Sequence, residues 1–226
     1  MTRTEFEASL RDPFVSWSNK TANEVYLMLG DAVAQMVGFV QRNPHHCYDL
    51  FTHSLYTVTD IKDTAPVLLR VAAFFHDIGK ISVAMEKQGR LVFYGHAQKS
   101  AEIAPLILRR MGYSELEIKE VCFYIRHHDD FISWVLPEEC DHENKFLVEI
   151  TSENLHRHIG KINRKTIEDD YQPDMQSWRN LLALCYADVA AQAEVVVQNG
   201  VIIDTKEHKL QKIIALQKCL EEYFLL

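Results

Sequence analysis

The stretch from about 65 to 77 limits the fold more than any other part of the chain. From Pro66 to Phe75 it is apolar nearly all round. A helix without a polar face is stable only when other elements cover every side, so this one belongs at the centre of a domain. The remaining sequence supplies covers of the same type. Thr21-Ala22-Asn23-Glu24 is a capping box, and it opens a helix with a broad apolar face over about 21–42, stopped by Asn43-Pro44. Further helices are predicted over about 47–61, 97–111, 115–128 (behind the Ser114-x-x-Glu117 box) and 176–199, with a last one opening at Asp204-x-x-Glu207. Only eight glycines and six prolines interrupt 226 residues.

Residues 81–95 leave the helical period. Val83 and Met85, then Gly89, then Leu91 and Phe93 read as a short hairpin. The segment from about 130 to 175 is mixed and polar. It holds Pro137, His142, His156, His158, a basic patch (Lys161, Arg164, Lys165) and an acidic run (Glu168, Asp169, Asp170), and it reads as an insertion or lid with some helix. The expected architecture is therefore all-α. It is a single domain over 1–226, with its core at about 43–130 and 176–200 and a small β-hairpin near 82–94.

Charge narrows the partners. With 24 Lys and Arg against 32 Asp and Glu the net charge is −8, a poor basis for a stable nucleic-acid complex, although a small phosphorylated substrate is compatible with it. No run of about 18 apolar residues suits a membrane span, and the N-terminus lacks the apolar region of a signal peptide. Cys47, Cys122, Cys140, Cys185 and Cys219 are scattered without a C-x-x-C pair, which suits reduced thiols and a cytoplasmic location. A homodimer is compatible with these numbers.

The histidines carry the chemistry. His76-Asp77 ends the most apolar helix, in Phe74-Phe75-His76-Asp77-Ile78-Gly79-Lys80. Either Gly79 ends the helix and the polar pair reaches water, or the pair is buried and needs a partner or a cation. His53 lies one helix earlier, and Asp188 sits in the apolar run Leu181–Ala187, where a lone carboxylate is expensive to bury. Two imidazoles and two carboxylates from three helices make a mixed nitrogen and oxygen ligand set. It suits Mn, Fe, Ni, Co or Zn, and Mg also fits.

The ordered pattern His53 … His76-Asp77 … Asp188 resembles the signature of the HD superfamily of metal-dependent phosphohydrolases. Asn43-Pro44-His45-His46-x-Tyr48-Asp49-x-x-x-His53, His76-Asp77-Ile78-Gly79-Lys80, Gly89-Arg90-x-x-Phe93-Tyr94-Gly95-His96 and Arg126-His127-His128 are most similar to the HD domain of bacterial tRNA nucleotidyltransferases. The nucleotide-adding half has no room before His53, so a free-standing hydrolase is expected. The resemblance implies an HD helical bundle holding one or two divalent transition-metal ions. It makes His53, His76, Asp77 and Asp188 the first ligand set. His96, His127 and His128 supply a second ion that Asp77 bridges, with His128 ahead of His127. It implies hydrolysis of a phosphomonoester or phosphodiester of a nucleotide or similar small molecule, with a 2′-nucleotide or a 2′,3′-cyclic phosphodiester as the nearest suggestion. Asp77 would serve as ligand or bridge, Lys80 and Arg126 as phosphate contacts, and His96 or a neighbour as the acid for the leaving oxygen. Lys80 and Arg126 also fit as cations at helix C-termini.

His45 and His46 read as solvated turn residues or, alternatively, as lining of the pocket mouth, and His142, His156, His158 and His208 as surface residues. Trp17, Trp134 and Trp178 read as core or lid packing. Three rival readings stand beside the hydrolase: a di-iron oxygenase on the same ligand frame, a non-catalytic nucleotide sensor, and a metal-free structural domain.

Overall fold

The computed structural model describes residues 1–139, 147–168, 170–198 and 200–225. Cys140, His142 and Asp169 lie outside the described residues. The chain runs α1 (Arg3–Ser9), α2 (Pro13–Trp17), α3 (Ala22–Leu29), α4 (Asp31–Ala34), α5 (Leu50–Thr59), α6 (Val67–Phe75) and α7 (Lys80–Val83). The hairpin β1 (Met85–Lys87) and β2 (Arg90–Val92) follows, then α8 (His96–Met111) and α9 (Glu115–His127). The rest is β3 (Trp134–Val135), β4 (Val148–Glu149), α10 (Ser152–Glu168), α11 (Met175–Ala190), β5 (Val195–Gln198), β6 (Val201–Thr205) and α12 (Lys206–Leu225).

The all-α expectation holds, with α6 at the centre. Leu69 to Phe75 are all buried, and α6 packs against α5, α9 and α11. Phe6 of α1 closes another side, its ring 5.3 Å from Phe74 and 5.6 Å from Phe75. Arg70, the one charge on the helix, reaches out to the carbonyls of Leu10 and Ile61 and to Asp63, so its burial is compensated. Outer helices complete the bundle: α8 lies on α9, and α12 lies on α11.

Local chemistry sets the ends of the helices that matter. Asp49 caps α5 by accepting from the N–H groups of Phe51 and Thr52, which fixes the turn just before His53. Gln88 and Gly89, both at positive φ, make the tight turn joining β1 and β2. The single helix expected over 21–42 is instead α3 and α4. Gly30 sits between them at φ 92° and ψ 178°, a conformation that breaks the helical path and that side chains other than hydrogen disfavour.

Two other expectations are corrected. The 130–175 segment is more than a polar lid. α10 buries Leu155, Ile159 and Ile162 at helical spacing within the main core, while Lys161, Arg164 and Lys165 face solvent. The helix expected to 199 stops at Ala190, and β5 and β6 form an antiparallel hairpin beyond it. The β-branched runs Val195–Val197 and Val201–Ile203 around Asn199-Gly200 carry that signal in the sequence. Trp17, Trp134 and Trp178 are core residues, each 1% exposed.

One close approach joins two parts of the frame. A methyl group on Gly79 would lie 2.4 Å from the Ser100 nitrogen and 2.6 Å from the His96 carbonyl oxygen, both backbone atoms of α8. The Gly79 N–H also donates to Ser100 Oγ at 2.8 Å. Neither helix backbone can yield cheaply, so Gly79→Ala is expected to cost about 2–3 kcal/mol, as overpacking does. Urea denaturation would show this as a lower midpoint at unchanged slope.

Candidate metal centre

Three helices aim polar atoms at one point in the core. α5 supplies His53, the C-terminal end of α6 supplies His76 and Asp77, and α11 supplies Asp188. His53 Nε2 lies 3.0 Å from Asp188 Oδ1 and 3.4 Å from Asp77 Oδ2. His76 Nε2 lies 3.1 Å from Asp77 Oδ2 and 3.6 Å from Asp188 Oδ1. All four residues are buried.

The other carboxylate oxygen of Asp77 faces a second group. Asp77 Oδ1 is 3.3 Å from His96 Nε2 and 3.7 Å from His128 Nε2, and these two nitrogens are 3.2 Å apart. His96 is the first residue of α8, and His128 follows the last residue of α9. Asp77 thus belongs to both groups.

The outer ring nitrogens settle what the inner ones can do. Each Nδ1 meets a main-chain carbonyl: His53 that of Ala191 (3.3 Å), His76 that of Ala73 (2.7 Å), His96 that of Phe93 (3.0 Å) and His128 that of Ile125 (2.7 Å). A carbonyl only accepts, so each Nδ1 carries the proton and each neutral ring turns an Nε2 lone pair inward. In the first group, His53 Nε2, His76 Nε2, both Asp77 oxygens and Asp188 Oδ1 are buried without a well-formed hydrogen bond. An orphaned buried polar atom costs about 1–3 kcal/mol. The Lys80 ammonium, 2.7 Å from Asp77 Oδ2, offsets part of this, and the remainder is still a large share of the roughly 5–15 kcal/mol that stabilises a domain.

A divalent cation relieves that cost. Ligand atoms about 2.1 Å from one ion stand about 3.0–3.4 Å from their neighbours, close to the 3.0–3.6 Å found in the first group. The donor set therefore fits an ion, held by His53, His76, Asp77 and Asp188, and the second group fits another held by Asp77, His96 and His128.

Without an ion the charges compensate through protons. Burial opposes a charge on His76, but Asp77 beside it and Asp188 outweigh that and push it up to about 10. His53 is raised in the same way, against burial, by Asp188 and Asp77. Burial opposes ionisation of Asp77 and Asp188 too, yet the neighbouring cationic groups hold both well below the usual carboxylate range. His96 is lowered chiefly by burial, and His128 is pushed down to about 3 by burial and by His76 and His96.

Several sequence expectations change here. His127 turns away: its Nδ1 bonds Asp130 Oδ2 at 2.7 Å, because successive helical residues point about 100° apart. His96 turns Nε2 to Asp77 Oδ1 and His128 Nε2, and burial lowers it, which suits a ligand. His46 is no solvated turn residue; its Nε2 sits 3.1 Å from Lys80 Nζ and its ring 5.0 Å from that of His53. Lys80 is 4% exposed and reaches Asp77 Oδ2 at 2.7 Å and Gln41 Oε1 at 3.0 Å. Gln41, which no motif singles out, is buried. His158 is half-buried against Phe131 and Trp134, and half-buried His208 pairs with Asp204 and Glu139. His156 is exposed as expected.

Arg126 lines a cavity of about 580 Å³ together with His96, Gln98, Asp129, Asp130 and Lys165. Asp129 is a residue that sequence reasoning passed over. Its side chain reaches the surface, and the atoms crowded around it, then the Asp188 charge, raise its carboxyl above the usual carboxylate range.

Comparison with known proteins gives the family. The HD domain family model matches residues 45–173, more than half of the chain. The CC-adding tRNA nucleotidyltransferase of Thermus thermophilus is 34% identical over 112 residues, covering 47% of this chain and 25% of that protein. The A-adding tRNA nucleotidyltransferase of Deinococcus radiodurans is 28% identical over 133 residues, covering 56% of this chain and 30% of that protein. The chain spans less than a third of the length of either relative. Asp188 falls outside the matched family span, and the structure brings it to the other three residues.

Protons and a cation compete for the same Nε2 lone pairs, and His53 and His76 sit above their ordinary values in the ion-free protein. Mn²⁺ binding at pH 7 is therefore expected to release protons, and affinity to fall as the pH drops. Titration calorimetry in two buffers of different ionisation enthalpy would read the release. His128→Ala is expected to lower the bound metal per chain, and His127→Ala to leave it unchanged, by elemental analysis.

Proposed function

The chain belongs to the HD domain family, and from that premise we propose that it is a metal-dependent phosphohydrolase acting on a phosphomonoester or phosphodiester of a nucleotide or similar small molecule. The observation that carries this reading is the set of buried, unpartnered nitrogen and oxygen atoms from His53, His76, Asp77 and Asp188 that converge from three helices. Ions held by these residues and by His96 and His128 would supply Lewis acidity toward phosphoryl oxygens and lower the pKa of water.

The protein's own groups account for the remaining steps. Asp77 presents one oxygen to each group of ligands and so fixes their separation. Arg126 and Lys165, on the wall of the cavity beside His96, offer positive charge to a phosphate entering there. Asp129 lines the same cavity, and its carboxyl is raised from the ordinary carboxylate range, which suits a group that delivers a proton to the leaving oxygen. The 1–226 chain acts as one domain in this reading, and no helix among the described residues is long and apolar enough to cross a membrane. The names of the two relatives connect them with tRNA. A 2′-phosphate or 2′,3′-cyclic phosphate of a nucleotide is accordingly the first substrate class to test.

A screen of phosphate monoesters, cyclic nucleotides and nucleotides with Mn²⁺, Ni²⁺, Co²⁺, Zn²⁺ and Mg²⁺ tests the proposal. Turnover with at least one pair is expected, and Asp77→Ala is expected to abolish it while the helical circular dichroism persists. Tight nucleotide binding without turnover in any metal would favour a sensor instead. Asp129→Asn is expected to lower kcat about 100-fold at unchanged metal content, the scale of a lost general acid.

A further inference from the structure

Lys80 follows the His76-Asp77 pair by three residues, and its sequence context suggests a cation for the substrate phosphate. Its surroundings argue otherwise. An ammonium group has three N–H donors. Three acceptors surround Lys80 Nζ: Asp77 Oδ2 at 2.7 Å, Gln41 Oε1 at 3.0 Å and His46 Nε2 at 3.1 Å. The lysine is 4% exposed, and the Phe93 ring lies 5.4 Å from its nitrogen. A phosphate contact would have to displace one of these three partners from a buried nitrogen.

We propose that Lys80 is a positioning residue, held onto Asp77 by Gln41 and His46, and that it gives no donor to the substrate. The acceptor roles are fixed by chemistry. Lys80 can only donate, so His46 presents an Nε2 lone pair, and Gln41 must turn its carbonyl oxygen toward the lysine. Both holders come from the chain just before α5, the helix that carries His53. The segment 41–46 is thereby tied to the end of α6 through a single ammonium. Lys80 makes the shortest contact that Asp77 Oδ2 has and restrains the carboxylate whose other oxygen faces His96 and His128. Phosphate charge is left to Arg126 and Lys165 on the cavity wall.

The role assigned to Asp77 rests on the metal-site reading above, whereas the hold on Lys80 is testable without it. Nitrogen-15 NMR of the metal-free and the Mg²⁺-loaded protein reads the lysine directly. A buried ammonium held by two hydrogen bonds and one short ion pair is expected to show a slowly exchanging Nζ–H signal at pH 7. Gln41→Leu and His46→Phe are expected to lose it, and His46→Gln, which keeps an acceptor, to restore it. Long-range NMR of His46 should show the proton on Nδ1 and a changed Nε2 shift in Lys80→Met. No slow ammonium signal in the wild-type protein would overturn the proposal, whatever the protein hydrolyses. Inhibition by inorganic phosphate separates the two roles of the lysine. Lys80→Met is expected to change the inhibition constant less than 3-fold while lowering kcat, and Gln41→Leu to follow the same pattern. A 10-fold or greater weakening of phosphate in Lys80→Met, with kcat nearly unchanged, would assign Lys80 to the substrate and sink the idea.

Discussion

Four imidazole protons given to main-chain carbonyls govern the interior of this protein. Because the Nδ1 protons of His53, His76, His96 and His128 are committed outward, four Nε2 lone pairs and two carboxylates face one another in a space with little water. Such a set repels itself unless protons or cations sit among it. The bundle is arranged around that demand. The central helix α6 ends where charge begins, and α5, α8, α9 and α11 each bring one or more polar atoms to the same corner.

The frame that holds this corner is made from ordinary packing. α6 is buried on every side by apolar contacts, so its C-terminal end cannot drift. Gly79 lets α8 come close enough to bring His96 to Asp77, and the Asp49 cap sets the first turn of α5 four residues before His53. Precision at the centre thus owes much to close packing and to one helix cap. The polar ties between 41–46 and Lys80 add the remaining restraint.

The most legible parts in the sequence were those where charge sits in an apolar run. His76-Asp77 after Phe74-Phe75 and Asp188 after Leu181–Ala187 declare themselves because burying such groups alone is costly. Capping boxes at Thr21 and Ser114 likewise mark true helix starts, since the reciprocal bonds lie within four residues. Gln41 and Asp129 were not legible as site residues, for nothing local distinguishes them from solvated polar residues, and His46, although within the motif before His53, gave no sign of its partner Lys80, 34 residues on. The burial of α10 escaped for a related reason: Leu155, Ile159 and Ile162 are spaced between many charges, and only the packed structure shows which face is inward. His127 and His128 could not be ranked from the sequence with certainty, because helix phase at that point depends on how α9 sits on its neighbours.

Three of the inward-facing histidines share a local device. His76, His96 and His128 each bond the carbonyl of the residue three positions earlier, Ala73, Phe93 and Ile125. Ring tautomer and tilt are thus written into a four-residue module and need no partner from elsewhere in the fold. A protein engineer could graft such a module onto the end of an unrelated helix and obtain a pre-aimed imidazole. His53 depends on Ala191 across the fold and would not travel in this way.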